Sequence, residues 1–264
     1  MKMTIKKFLK YWFYSGSLTF AILSREKSEK LAQVDINVLG EKRKIYMRTG
    51  TSDVHLFYEI LFRKKKSEYF SEFLPSGEKI HTILDIGANI GVASVYFKQI
   101  YPHARLFCFE PMFQNFDMLK KNVFGYSDVD IHQVALSSED ATIEMIASPS
   151  SDNKGGWSIF QRGATDEEER VLVEGYHAGR YLDKLGVSSP DLIKIDTEGV
   201  EKKILMSLHD YQLENVKYIV GELHGERDFE LLDWLEQKGF DIEMKKSFNK
   251  SLFIFKAIRK ELLG

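Results

Sequence analysis

The stretch Leu84-Asp85-Ile86-Gly87-Ala88-Asn89-Ile90-Gly91 runs an apolar strand into a glycine-bracketed turn, and the segment from Gly91 to Tyr101 that follows has helical spacing. Val92, Val95, Tyr96 and Ile100 share one face of that helix. Glycine at such a turn lets the backbone come close to a ligand, and the helix terminus beyond it offers unpaired amides, so the position suits a nucleotide-like cofactor. It is not a dinucleotide fingerprint, because Asn89 stands where the second glycine of Gly-x-Gly-x-x-Gly belongs. Asp85 would repel a pyrophosphate and suits instead the ammonium group of an amino-acid moiety.

The same strand-then-helix rhythm continues in both directions. Ile80 to Ile86, Arg105 to Phe109, Asp130 to Leu136, Asp191 to Ile195 and Val216 to Leu223 read as strands. Met112 to Val123, Ala178 to Leu185, Val200 to Leu208 and Asp228 to Lys238 read as helices, the last stopped by Gly239. Phe240 to Lys246 and Leu252 to Ala257 close the chain as an antiparallel hairpin. The pattern implies an α/β fold with a doubly wound, mostly parallel sheet. Ala141 to Ala147 alternates like a strand, and the polar stretch from Ser148 to Arg170 reads as a lid or binding loop. Upstream, Val34 to Leu39 and Lys42 to Arg48 predict a hairpin joined at Gly40-Glu41, and Asp53 to Phe62 a helix capped by Ser52 or Asp53. Pro75-Ser76-Gly77 marks the boundary between an N-terminal cap, residues 1–78, and a main domain, residues 79–264.

Composition narrows the function classes. The chain has 264 residues, 44% hydrophobic and 29% charged, which excludes collagen-like and disordered readings. Its one cysteine, Cys108, excludes a disulfide framework and suits a reducing compartment. A net charge of -2 removes the basic balance of a general nucleic-acid binder. Residues 1–30 nevertheless carry seven Lys or Arg against two Glu. The run from Phe8 to Ser24 is aromatic-rich but too short and too polar for a spanning helix. Packing or contact between copies is the expected role of this segment, with peripheral membrane contact as the alternative. The expected location is cytoplasmic.

Two further strand ends carry chemistry. Glu110-Pro111 closes the strand after the glycine turn, 19 residues beyond Gly91, where a carboxylate accepts hydrogen bonds from ribose hydroxyls. Lys194-Ile195-Asp196-Thr197-Glu198-Gly199-Val200-Glu201 again runs strand into helix and puts Asp196 and Glu198 where open α/β sheets keep their reactive groups. His224, at the end of the next strand, has the intrinsic pKa best suited to a general base. Asp196, Glu198, Glu222 and His224 also compose an oxygen-rich divalent-metal site, the less favoured arrangement.

Together, Arg48-Thr49-Gly50-Thr51-Ser52-Asp53, the glycine motif, Phe109-Glu110-Pro111, Ala135-Leu136-Ser137 and the Lys194–Glu201 motif resemble the FkbM family of S-adenosylmethionine-dependent methyltransferases, over about residues 45–245. The resemblance implies a class I methyltransferase sheet of seven strands, one of them reversed. It implies that Asp85, Gly87, Ala88, Asn89 and Gly91 hold the methionine part of S-adenosylmethionine. Glu110 and Pro111 would hold the ribose, Ala135 and Leu136 the adenine edge, and Ser52 and Asp53 would gate the pocket. The transferred methyl is already activated, so the protein mainly aligns an acceptor and removes its proton. Asp196, Glu198 and His224 are the candidates for that base, and Arg48, Trp157, Ser158 and Glu222 the expected contacts of a small-molecule or glycan acceptor. A nicotinamide oxidoreductase is disfavoured by Asn89, and a nucleic-acid methyltransferase by the charge balance and by the absence of an Asn-or-Asp-Pro-Pro-aromatic motif. A non-catalytic protein that keeps the fold is the remaining alternative.

Overall fold

The structure, a computed structural model, describes residues 5–62, 74, 80–147, 157–158, 170–224, 229–246 and 253–263. Two helices open it, α1 (Ile5–Ser15) and α2 (Leu18–Leu23), broken where Gly16 turns left-handed and Ser17 accepts the amide of Phe20 to start the second. β1 (Leu31–Val38) and β2 (Glu41–Arg48) form the expected hairpin, but the turn is Leu39-Gly40, one residue earlier than its sequence implies. Both turn residues have positive φ, the geometry that matches the twist of the strands. α3 (Asp53–Phe57) follows and passes into a π-helical turn, Tyr58–Phe62.

The main sheet then builds from β3 (Thr82–Ile86), α4 (Val92–Ile100), β4 (Arg105–Phe109), α5 (Phe113–Asn122) and β5 (Val129–His132). A smaller sheet intervenes, made of β6 (Ala135–Ser137), β7 (Ala141–Ala147), β8 (Trp157–Ser158) and β9 (Arg170–His177). The main sheet is completed by α6 (Ala178–Lys184), β10 (Leu192–Ile195), α7 (Glu201–Met206), α8 (Asp210–Glu214), β11 (Tyr218–Leu223), α9 (Phe229–Gln237), β12 (Phe240–Lys246) and β13 (Phe253–Arg259). Its order is β12-β13-β11-β10-β3-β4-β5. β13 pairs antiparallel with both neighbours and every other pairing is parallel, so one strand of seven is reversed, as the resemblance implies.

Successive strand residues point to opposite faces, and both faces are buried. Ile83, Leu106, Cys108 and Leu192 pack toward the N-terminal elements, in one continuous cluster with Tyr11, Phe20, Ile45 and Phe57. Leu84, Phe107, Ile193 and Ile195 pack the other way, against Leu182, Ile204 and Leu235. The N-terminal elements therefore supply one wall of the sheet's own core. The boundary at Pro75-Ser76-Gly77, the body of the 148–170 loop and the turn of the terminal hairpin lie outside the described residues. Among the described residues no helix is long and apolar enough to cross a membrane.

Several elements differ from the sequence expectation. Asp130 to Leu136 is two strands, β5 in the main sheet and β6 in the small one, where β6 lies parallel to β9. β9 and α8 are additional; β9 pairs with β7 from Ala141↔Gly175 to Ile146↔Arg170. Asp53 does not cap α3: its carboxylate turns back to Arg48, and its amide is accepted by Thr51 Oγ1 at 3.2 Å.

Candidate active site

A cleft of about 640 Å³ opens at the carboxyl ends of β3, β4 and β10. Its floor is the glycine turn. Gly87 has φ +76°, and a Cβ there would fall 1.9 Å from the carbonyl oxygen of Asp196, so only glycine lets the two strand ends touch. The amides of Gly87 and Ala88 both donate to the Phe109 carbonyl, at 3.0 and 2.9 Å, which ties the turn to the end of β4. Asn89, also left-handed, sends its amide to Glu110 Oε2 at 2.8 Å, and Met112 sends its own to Oε1 at 3.0 Å. Burial still outweighs these two donors and pushes Glu110 up to about 7. Asn89 Oδ1 is buried and has no hydrogen-bond partner among the described residues.

The next layer down is closed. Asp85 is fully buried, 3.2 Å from Lys194 Nζ and accepting from Ser94 Oγ at 2.6 Å. Lys194, equally buried, also donates to the Gly87 carbonyl at 2.6 Å. Burial alone would lower Lys194, but Asp85 and Asp196 outweigh it and hold it protonated. This corrects the role expected for Asp85: its charge is met by a lysine from the neighbouring strand and does not face the cleft. A lysine inside the apolar run Leu192–Ile195 was the sequence signal for such a partner. Cys108 is buried beside this pair, and burial pushes its thiol up, as befits a packing cysteine.

Asp196 and Glu198 line the far wall. Glu198 is left-handed at φ +59°, a conformation non-glycine residues seldom adopt. Glu201, at the start of α7 and almost fully buried, accepts from the amides of Thr197 at 2.8 Å and Gly199 at 3.1 Å and so fixes this turn. His224 reaches in from the end of β11. Its Nε2 is 3.2 Å from Glu198 Oε2 and 3.8 Å from Asp196 Oδ1, and its Nδ1 is 3.4 Å from Glu201 Oε1. Burial would lower His224, yet Glu198, Glu201 and Asp196 together push it up to about 12. This corrects its assignment as a free base, since an imidazolium has no ring lone pair left to take up a proton. Burial raises Asp196, against the lowering effect of Lys194 and His224, and leaves it the better-placed acceptor. Burial also acts to raise Glu201, but His224 and the backbone amides outweigh it and hold that carboxyl below its usual range.

The remaining expected residues are dispersed. Gly87, Asn89, Glu110, Pro111, Ala135 and Leu136 line the cleft together with Val134 and Met145. Ala88 is buried beneath the turn, and Gly91 starts α4. Arg48 and Asp53 form a buried two-pronged pair with Nη2–Oδ1 and Nε–Oδ2 distances of 2.9 Å, and Asn115 on α5 accepts from the same guanidinium. They lock β2 to α3 and are not available as gate or acceptor contact, and Ser52, at the start of α3, also lies off the cleft lining. Glu222 sits on β11 opposite Ile254 and is likewise not part of the lining. Trp157 and Ser158 form β8 against the end of β7, and their side chains lie outside the described residues. One ligand atom each from Asp196, Glu201 and His224 lies within 4.8 Å of the others, so the grouping with metal-ligand chemistry includes Glu201 and not Glu222. Glu201 was missed because its role depends on a histidine from another strand.

Comparison with known proteins adds a family to this geometry. Residues 85–242 match the model of the methyltransferase FkbM domain. The chain is 30% identical over 193 residues to methyltransferase sdnD of Sordaria araneosa, covering 61% of this chain and 73% of that protein. It is 28% identical over 185 residues to methyltransferase 1 of Beauveria bassiana, covering 62% and 74%. A shorter match, 26% over 136 residues and covering 47% and 55%, is to the 2-O-methyltransferase NoeI of Sinorhizobium fredii.

Proposed function

The chain belongs to the FkbM methyltransferase family, and from that premise we propose that it is an S-adenosylmethionine-dependent O-methyltransferase acting on a hydroxyl of a sugar, glycan or secondary metabolite. The observation that carries this reading is the polarity of the cleft, with a buried carboxylate on backbone amides at one end and a carboxylate–imidazolium cluster at the other. S-adenosylmethionine supplies a methyl group already activated by positive sulfur. The residues present fit that group: the Gly87–Asn89 turn leaves room where a side chain would collide, and Asn89 Oδ1 is a buried acceptor awaiting a donor. Glu110 keeps lone pairs for two ribose hydroxyls while its amide partners fix its orientation. Val134, Ala135, Leu136 and Met145 offer an apolar wall for a flat ring.

At the other end, Asp196 would accept the acceptor's hydroxyl proton as the oxygen takes the methyl group, the methyl–sulfur bond breaking and the sulfur leaving as a neutral thioether. His224 acts as its counter-ion: it holds Glu198 and Glu201 and keeps three neighbouring carboxylates from repelling one another. The cluster still carries more negative than positive charge, which favours a cationic ligand beside it. The relative named a 2-O-methyltransferase supports a hydroxyl acceptor. Calorimetry on the full chain tests the cofactor assignment, and a screen of candidate acceptors for a mass gain of one methyl tests the reaction. Folded protein that fails to bind S-adenosylmethionine overturns the first, and a product methylated only on nitrogen overturns the second.

A further inference from the structure

α1 has three distinct faces. Tyr11 and Ser15 are buried, and Phe8 packs partly against the core. At about 100° per residue, Trp12, Ile5, Leu9 and Phe13 fall side by side on a second stripe, where Ile5 is 81% and Phe13 80% exposed. Lys6 borders that stripe and Lys10 follows it round the helix, both exposed, while Lys7 lies on the far side over the Tyr11 ring. α2 adds Leu18 and Ile22, one turn apart and each about half exposed. No acidic residue occurs between Ile5 and Arg25.

We propose that α1 and α2 form a docking face for an anionic phospholipid bilayer. Trp12, Phe13, Ile5 and Leu9 enter the boundary between headgroups and acyl chains, while Lys6 and Lys10, on the flank of the stripe, meet lipid phosphates. Charge decides the occupant. A second copy seated on the same patch would bring two sets of lysines together with no acidic residue of α1 or α2 to receive them, whereas an anionic surface complements both lysines. Eleven residues of helix span roughly 16 Å, so α1 lies in the plane of the surface. Aromatic and aliphatic side chains beside lysines are the composition such interfacial helices require.

Flotation of the full chain with phosphatidylcholine vesicles, with and without phosphatidylglycerol, tests this. Binding is expected only to the anionic vesicles. Lys6→Gln/Lys10→Gln should weaken it about 25-fold, from about fivefold per lysine near such a surface. Trp12→Ser/Phe13→Ser should also abolish flotation while leaving the thermal midpoint unchanged, because both side chains are exposed. Folded wild-type chain that stays with the soluble fraction at low salt overturns the proposal. So does equal binding to neutral vesicles, or a dimer in sedimentation equilibrium that Trp12→Ser/Phe13→Ser dissociates, which would give the face to a second copy.

Discussion

Two charged assemblies sit one above the other at the end of β10, and they behave in opposite ways. Asp85 and Lys194 are cross-strand partners in register on β3 and β10, and Asp196 stands two residues beyond Lys194, just past the end of the strand. The lower assembly is closed: one carboxylate, one ammonium, a serine and a backbone carbonyl meet out of reach of solvent, with Asp85 Oδ1 facing the Lys194 charge at 3.2 Å. The upper one sets three carboxylates against one imidazolium at the wall of a cleft. Both set carboxylates against a protonated nitrogen base. What separates them is height along the strand: below the glycine turn a charge can only be scaffolding, and above it the ladder ends and side chains turn to the ligand space.

The contrast can be broken from either side. Asp196→Asn should lower turnover by about 10²–10⁴-fold with little change in cofactor affinity, measured in single turnovers on the acceptor the mass screen identifies. A variant that loses cofactor affinity and keeps its turnover would move Asp196 into the scaffolding set. Lys194→Met leaves Asp85 buried without its cation and should cost about 3–5 kcal/mol in urea unfolding, most of it recovered by adding Asp85→Asn. A smaller effect tests His224. Its raised pKa means that its contribution to stability is complete below about 6.5 and declines steadily as pH rises from there towards about 12. The stability advantage of wild type over His224→Gln should therefore shrink steadily from about pH 7 to 10, while the ring resonances show no titration near neutrality. The smallest effect concerns Glu110, whose contribution to stability is present below about 4.5 and lost as pH rises through about 7. Hydroxyl donors favour its carboxylate, so cofactor binding at about pH 6 should release a fraction of a proton, read by calorimetry in buffers of different ionisation enthalpy.

Much of the sheet is legible in the sequence because its strands are buried on both faces and read as unbroken apolar runs. Arg105–Phe109 is bounded in the structure where the sequence bounds it, and so, in the smaller sheet, is the alternating run Ala141–Ala147. The break between β5 and β6 is not legible, since Gln133-Val134 carries neither glycine nor proline to announce it. β9 is hidden because only Val173 and Gly175 of its eight residues are buried, so no strong alternation stands out. In the site, the cleft-lining residues of the glycine turn and β4 are local to one strand end and could be read in order. The roles of Asp85, Arg48 and His224 could not, because each is decided by a charge on a different element. An intrinsic pKa says little about a histidine that meets three carboxylates from the neighbouring strand end and helix.

The pairing of Ile146 with Arg170 has a use beyond the geometry it fixes. It holds the two ends of the intervening segment one strand spacing apart, on the sheet that carries Ala135, Leu136 and Met145 to the cleft. Closing a longer segment across such a clamp costs only about 0.6 kcal/mol per doubling of its length. For a protein engineer this makes the Ile146–Arg170 pair a joint, at which the intervening segment, β8 with it, can be exchanged for one of different length and chemistry while β7 and β9 stay paired.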